Sequence, residues 1–257
     1  MDRCLIIKVG SSLIADRSNL TINKIFINNL LADVAVLAKQ DYRIIIVSSG
    51  AVALGIPNII QNYAHNTELS LVQQQAAAAC GQPLLLAIYS SMANIFGIKL
   101  AQILLTYDDI TNGNRSINAK NTLNTLLQAN IIPVINENDT VATDELKFGD
   151  NDKLAAHLVN LLNIKQLFLL TNVDGLYTSN PEKKGAKHIS SIDNAKQHYS
   201  LANGKSNIGR GGMLSKLQAA SIAQSQGCEV YISNGNQNQP ISNILNDNCL
   251  YTLCKAL

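Results

Sequence analysis

Two dense clusters of amide and carboxylate side chains stand in the middle of the chain: Asn136, Glu137, Asn138 and Asp139, then Asp150, Asn151 and Asp152 followed by Lys153. In an α/β protein ligands bind outside the carboxyl ends of the strands, so two such clusters suggest a ligand site. Either cluster alone also reads as an ordinary loop or helix cap. Two lysines carry a second chemistry. Lys8 interrupts the apolar run Cys4 to Val9, where a buried ammonium requires a partner, and Gly10-Ser11-Ser12 beyond it would let an anion approach the backbone. Lys216 follows the glycine-rich stretch Gly204 to Gly212 in the first turn of an expected helix, where a cation opposes the helix dipole unless an anion completes the site. The alternatives are an edge-strand lysine and a solvated one. Gly204 and Gly209 have phosphate-loop spacing, but Arg210 stands where that motif needs lysine and Gly211 where it needs a hydroxyl, so the motif fails.

The elements around these residues alternate. The β-branched run from Ile131 suits a buried strand that ends at Asn136, and Gly149 leads to Asp150 or Asn151 as the cap of a helix reading LAAHLVNLLN. Cys4 to Val9 is a strand. Leu20 to Gln40 has the apolar spacing of a helix entered from Thr21, and Arg43 to Val47 is a second strand ending in Ser48-Ser49-Gly50-Ala51. Strand, helix and strand make a parallel crossover. Two glycine-serine turns at strand ends fit a cradle of backbone N–H groups for phosphates, and ligands of α/β proteins bind at those ends. Thr67 to Gly97 is helical in character, divided at Gly81-Gln82-Pro83, and its alanine run offers a flat surface for the core or for another subunit. Ile98 to Thr106 and Gln166 to Leu170 read as strands, Arg115 to Asn130 and Leu214 to Gln226 as helices, and Cys228 to Ser233 and Leu250 to Cys254 as closing strands. One alternating α/β domain results.

Bulk properties narrow the function. The 257 residues are 47% hydrophobic and 15% charged with a formal net charge of +2, and no block of like charge marks a nucleic-acid surface. The start MDRCLIIKVG is too short and too interrupted for a signal peptide, and no uninterrupted apolar run reaches the roughly 18 residues of a membrane span. The expectation is a cytoplasmic protein that binds neither nucleic acid nor membrane. Five cysteines without a CxxC pair fit reduced, structural thiols rather than a disulfide framework or a zinc site.

Taken in order, IIKVGSS (6 to 12), IIIVSSGAVALG (44 to 55), PVINENDTVAT (133 to 143), KFGDNDKLAA (147 to 156), LLTNVDGLYTSNP (169 to 181) and GRGGMLSKLQAA (209 to 220) resemble the amino-acid kinase family over nearly the whole chain. The INEND and FGDND pair with the GGM-x-S/T-K loop resembles the branch that phosphorylates L-glutamate on its γ-carboxylate and opens proline synthesis. The resemblance implies a three-layer α/β/α sandwich with a mainly parallel sheet and transfer from ATP with Mg2+ held mainly by the nucleotide phosphates, not by a protein metal site. It implies Lys8, Asp152 and Lys216 as the catalytic group, Asp152 holding both lysines. Ser49, Gly50, Asn136, Asp139, Asp150 and Asn151 are implied for the amino acid; Lys8, Gly10, Thr171, Asn172, Arg210, Gly211, Gly212, Met213, Leu214, Ser215 and Lys216 for the nucleotide. Gly10 and Gly50 are implied to present N–H groups to the phosphates. Asn172 departs from the aspartate usual in that branch, and Arg210 from threonine. The resemblance further implies a single domain, with an acceptor half near residues 1–150 and an ATP half near 151–257, in a short form without a PUA module. It also implies a homo-oligomer, feedback by L-proline and contact with the next enzyme of the pathway.

Overall fold

The computed structural model describes residues 3–16, 20–61, 63–64, 67–142, 150–202 and 212–257. Its elements follow as β1 (Cys4–Val9), α1 (Ser11–Ile14), β2 (Ala15–Asp16), β3 (Thr21–Ile22), α2 (Lys24–Lys39), β4 (Arg43–Ser48), α3 (Ala51–Ile59), α4 (Leu71–Ile95), β5 (Lys99–Leu105), α5 (Tyr107–Thr111), α6 (Gly113–Gln128) and β6 (Ile131–Glu137). The chain continues with α7 (Asn151–Leu162), β7 (Gln166–Thr171), β8 (Leu176–Tyr177), β9 (His188–Ile189), β10 (Ser191–Ile192), a 3-10 helix (Ala195–Ala202), α8 (Met213–Gln224), β11 (Glu229–Asn234), α9 (Pro240–Leu245) and β12 (Tyr251–Cys254).

Eight strands form one sheet in the order β10-β12-β11-β7-β1-β4-β6-β5. Its pairs are parallel except β11 with β12. β1 lies at the centre and is buried on both faces, as parallel strands covered by crossover helices must be. Alternation along each strand sends side chains to opposite layers. Ile6, Ile45 and Leu167 meet Leu127 of α6, Leu158 of α7 and Leu217 of α8, while Ile7, Ile46 and Phe168 meet Leu30 of α2, Leu85 of α4 and Ile244 of α9. The expected three-layer sandwich is what forms. The central position of β1 also removes the edge-strand reading of Lys8.

Three boundaries differ from the sequence reading. α2 starts at Lys24 because Thr21–Ile22 pairs with Ala15–Asp16 in a small ladder, and Asn23 caps the helix by accepting from Phe26 N at 3.0 Å. The stretch through Gly81-Gln82-Pro83 is one continuous helix, α4, started by a capping box between Ser70 and Gln73. α3 went unrecognised, since Gly55 and Pro57 both argue against a helix, yet it packs directly on α4. By length and mean hydropathy α4 could cross a membrane, but Leu85, Tyr89 and Ala93 lie in the core and its glutamines bond to neighbouring loops.

Candidate active site

The carboxyl ends of β1, β4 and β6 and the first turns of α7 and α8 converge on one group of charges. Asp150 caps α7, its Oδ1 accepting from Asp152 N at 2.9 Å, which turns the Asp152 side chain toward β1. Lys8 Nζ lies 2.5 Å from Asp152 Oδ1 and 3.6 Å from Asp150 Oδ1, and Lys216 Nζ lies 3.1 Å from Asp152 Oδ2. Lys8 and Lys216 are each 2% exposed and Asp152 is 0% exposed, so all three charges depend on one another. Burial alone works to lower the Lys8 pKa, but the Asp152 and Asp150 carboxylates outweigh it and hold the ammonium above its ordinary value. Burial alone would raise Asp152, and Lys216 followed by Lys8 more than reverses this, keeping it ionised. The Ser215 hydroxyl donates to Asp150 Oδ2, tying the start of α8 to the cap of α7. Asp152 therefore pairs with both lysines.

Beside this group stands a cluster of bonded amides. Asn151 Nδ2 approaches Ser48 O at 3.1 Å, Ser49 Oγ at 2.9 Å and Asn136 Oδ1 at 2.8 Å, which joins the tips of β4, β6 and α7. Asn136 Nδ2 donates to Gln82 Oε1 at 2.8 Å. Gly50 has φ 110° at the start of α3, and a Cβ there would fall 2.7 Å from Ile14 Cγ2, so the turn requires glycine. Asp139 is half-buried in the turn after β6, and its side chain or backbone has a polar or electrostatic partner. Ser49, Gly50, Asn136, Asp150 and Asn151 thus come together. Sequence reading missed Gln82, Gln75 and Tyr89 on α4. Their signal was a spacing of seven residues within an alanine-rich helix.

On the other side of β1, Thr171 ends β7 nearly buried, with Asn172 exposed beyond it, and Thr171 O accepts from Gly235 N at 2.8 Å. Gly212, Met213, Leu214 and Ser215 form the half-buried start of α8. Arg210 and Gly211, expected at the nucleotide, lie outside the described residues. Gly10 departs from expectation in detail: its N–H donates to Leu170 O at 3.2 Å, so it ties β1 to β7 and does not point outward in this conformation. Among the described residues no group of three or more His, Cys, Asp or Glu is placed to hold a metal ion.

Two ammonium groups sharing one carboxylate can neutralise a transferring phosphoryl group, and the adjoining amides can orient a small polar acceptor. A parallel three-layer α/β/α sheet with this paired-lysine site defines a class of phosphotransferases. The sequence model of the Amino acid kinase family matches residues 3–234, and the chain belongs to that family. Relatives that it matches include proteins named glutamate 5-kinase. The one from Roseobacter denitrificans is 40% identical over 235 residues, covering 90% of this chain and 62% of that relative. The one from Clostridium acetobutylicum is 38% identical over 245 residues, covering 94% of this chain and 90% of that relative. The chain thus spans less than two thirds of the Roseobacter denitrificans relative's length and most of the Clostridium acetobutylicum relative's. Among solved structures, UMP kinase from Ureaplasma parvum superposes with a TM-score of 0.67 at 15% identity, covering 99% of both chains. An isopentenyl phosphate kinase product complex from T. acidophilum superposes with a TM-score of 0.67 at 16% identity, covering 98% of this chain and 99% of that one. At such identities these two share the fold with this chain.

Proposed function

We propose that the protein transfers the γ-phosphoryl group of ATP to the γ-carboxylate of L-glutamate. The observation that carries the reading is the buried Lys8–Asp152–Lys216 group set against the amide pocket of Asn136, Asn151 and Ser49. A carboxylate is already a deprotonated nucleophile, so the reaction needs alignment and charge neutralisation but no general base. A γ-carboxylate oxygen attacks the γ-phosphorus, the bond from phosphorus to the β–γ bridging oxygen breaks, and ADP leaves without net proton transfer. Lys8 and Lys216 neutralise the moving group, and Asp152 fixes both ammonium positions. Asp139 or Asp150 receives the substrate ammonium, while Ser49 and Asn151 orient its carboxylates. Asp150 and Asp152 are both engaged by lysine or serine, a donor set that suits Mg2+ carried on the nucleotide phosphates, where it would screen their charge.

Thr171, Asn172 and the start of α8 form the nucleotide side in this reading, dividing the domain into an acceptor half before about residue 150 and an ATP half after it. Feedback by L-proline at the acceptor pocket, a homo-oligomeric state, contact with the next enzyme of proline synthesis and a cytosolic location belong to the same reading. The test is ADP release with Mg2+ and ATP, comparing glutamate with aspartate, acetylglutamate, carbamate and UMP, and trapping acyl phosphate with hydroxylamine. Glutamate-dependent hydroxamate is the expected result. ADP formation with another acceptor alone would overturn the substrate and leave the phosphate site in place.

A further inference from the structure

Three side chains of α4 reach the tips of β4 and β6 from one line along the helix. Gln75 Nε2 donates to Ala142 O at 3.2 Å, Gln82 Oε1 accepts from Asn136 at 2.8 Å, and the Tyr89 hydroxyl lies 3.1 Å from Ser48 Oγ. Seven residues are close to two helical turns, so the three share a face. The line is held against the pocket by a backbone crossing. A Cβ on Gly81 would sit 1.8 Å from Ala51 O, and one on Gly55 would sit 1.7 Å from Ala77 O.

The polarity of the amide chain is dictated by main-chain groups that have one role each. Glu137 N–H can only donate, and it does so to Asn136 at 2.9 Å, so the atom facing it is Oδ1. Asn136 therefore turns Nδ2 toward Gln82, and Gln82 must answer with Oε1. Ser48 C=O can only accept, so Asn151 gives it Nδ2. The chain runs Gln82 to Asn136 to Asn151 in one sense, and its far end leaves the Gln82 Nε2 donor without a hydrogen bond among the described residues. Gln82 is 8% exposed, and among the described residues the enclosed side-chain atom lacking a hydrogen bond is Asp152 Oδ1, which has the Lys8 ammonium beside it. Gln82 Nε2 is thus not sealed in the core. A nearly buried NH2 group with an open donor calls for an acceptor from a ligand.

We propose that Gln82 binds the amino-acid acceptor, its Nε2 donating to a carboxylate oxygen. Asn151 stands next to Asp152 and the lysines, and Gln82 is two amides further away, so Gln82 meets the carboxylate remote from phosphoryl transfer, the α-carboxylate of glutamate. This inference rests on the glutamate reading of the same site.

The test separates the donor from the structural role. Gln82→Glu keeps an oxygen for Asn136 and replaces the Nε2 donor by an anionic oxygen facing the substrate carboxylate; Gln82→Met removes both at similar volume. The hydroxamate assay is run on wild type first, because absence of glutamate-dependent product there would overturn the substrate reading itself. With wild type active, the KM for glutamate should rise about 10- to 100-fold in Gln82→Glu, the equivalent of one hydrogen bond to a charged group. The KM for ATP and the melting temperature should stay near wild type. A wild-type KM for glutamate in Gln82→Glu overturns the proposal, as does a loss confined to Gln82→Met, because an acceptor for Asn136 would then be all the site needs. Should Gln82→Glu not fold, Gln82→Met decides with 4-aminobutanoate, which lacks the α-carboxylate, as a second acceptor: a KM raised for glutamate but not for 4-aminobutanoate upholds the role, and equal rises for both overturn it.

Discussion

A single carboxylate, Asp152, holds two ammonium groups in a place closed to water. Asp152→Asn keeps the shape and removes the charge, leaving Lys216 without this partner and Lys8 with Asp150 at 3.6 Å. Breaking a buried ion pair from one side costs about 3–5 kcal/mol, because the remaining charges stay desolvated. The urea midpoint should fall accordingly, and phosphoryl transfer should drop by at least about 100-fold as the lysines lose their set positions. A variant with wild-type rate and midpoint would remove Asp152 from this role. The pH dependence follows from the same group. Asp152 is depressed, so its contribution to stability is present above the ordinary aspartate value of about 3.9 and is lost as pH falls through its lower folded value. Lys8 is raised, so its contribution is present below the ordinary lysine value of about 10.4 and is lost as pH rises through its higher folded value. Neither window reaches neutrality. Stability of wild type, followed by urea titration between about pH 6 and 9, should carry no inflexion that disappears in Asp152→Asn. Lys8 and Lys216 were legible in the sequence because a charge in an apolar strand, or a cation in a first helical turn, is anomalous locally, whereas Asp152, an ordinary acid in a first turn, was singled out by the family resemblance alone.

The elements that back the amide cluster are α3 and α4. Small residues let the two backbones touch: Gly55 and Gly81 face Ala77 and Ala51, and Ala77 and Ala78 are buried against α3. The flat alanine surface is therefore spent inside the domain at these positions. Gly81→Ala places a methyl group 1.8 Å from Ala51 O, a main-chain atom that cannot rotate away. Overpacking of this kind costs about 1–3 kcal/mol or more, and parting the helices also draws Gln82 from Asn136. We expect a lower urea midpoint together with a higher KM for glutamate. Ser70→Ala is the control, since it removes the capping box of the same helix, costs about 1 kcal/mol and leaves the crossing intact. A raised KM in Ser70→Ala equal to that in Gly81→Ala would show that general loosening, not the crossing, governs the pocket. The α3–α4 pair was invisible beforehand for a physical reason. Gly55, Gly81, Pro57 and Pro83 lower helix propensity, so local reading breaks both helices at the residues that tertiary contact makes indispensable. The Gln75, Gln82 and Tyr89 line was hidden likewise, since glutamine in a helix is unremarkable until its facing partner is known.

At the scale of the whole molecule, the last segments of the chain brace the first. β12 is antiparallel to β11 and covers its edge, and Thr252 Oγ1 accepts from Leu176 N at 2.7 Å and donates to Ile189 O at 2.6 Å, steadying the segment that follows Thr171. What places β12 is α9 before it, and α9 is capped from across the molecule. Asp33 of α2, fully buried, accepts from Ile241 N at 2.7 Å and Ser242 N at 3.1 Å and also from the Ser242 hydroxyl. No sequence pattern links Asp33 to residues more than two hundred positions away, so its role is invisible to local reading. An anion at a helix N-terminus satisfies donors the helix cannot, and that cap here joins the two ends of the chain. Asp33→Ala strands those donors in the core at about 1–3 kcal/mol. Because α2, α9 and β12 share one packed layer with Leu30, Ile244 and Leu253, the loss should lower the midpoint of a single unfolding transition. The KM values of the folded fraction should be unchanged, as Asp33 touches neither lysine nor amide chain. A separate early transition, followed by amide exchange in α9 and β12 alone, would instead make the C-terminal segments an independent unit docked on a sheet that stands without them.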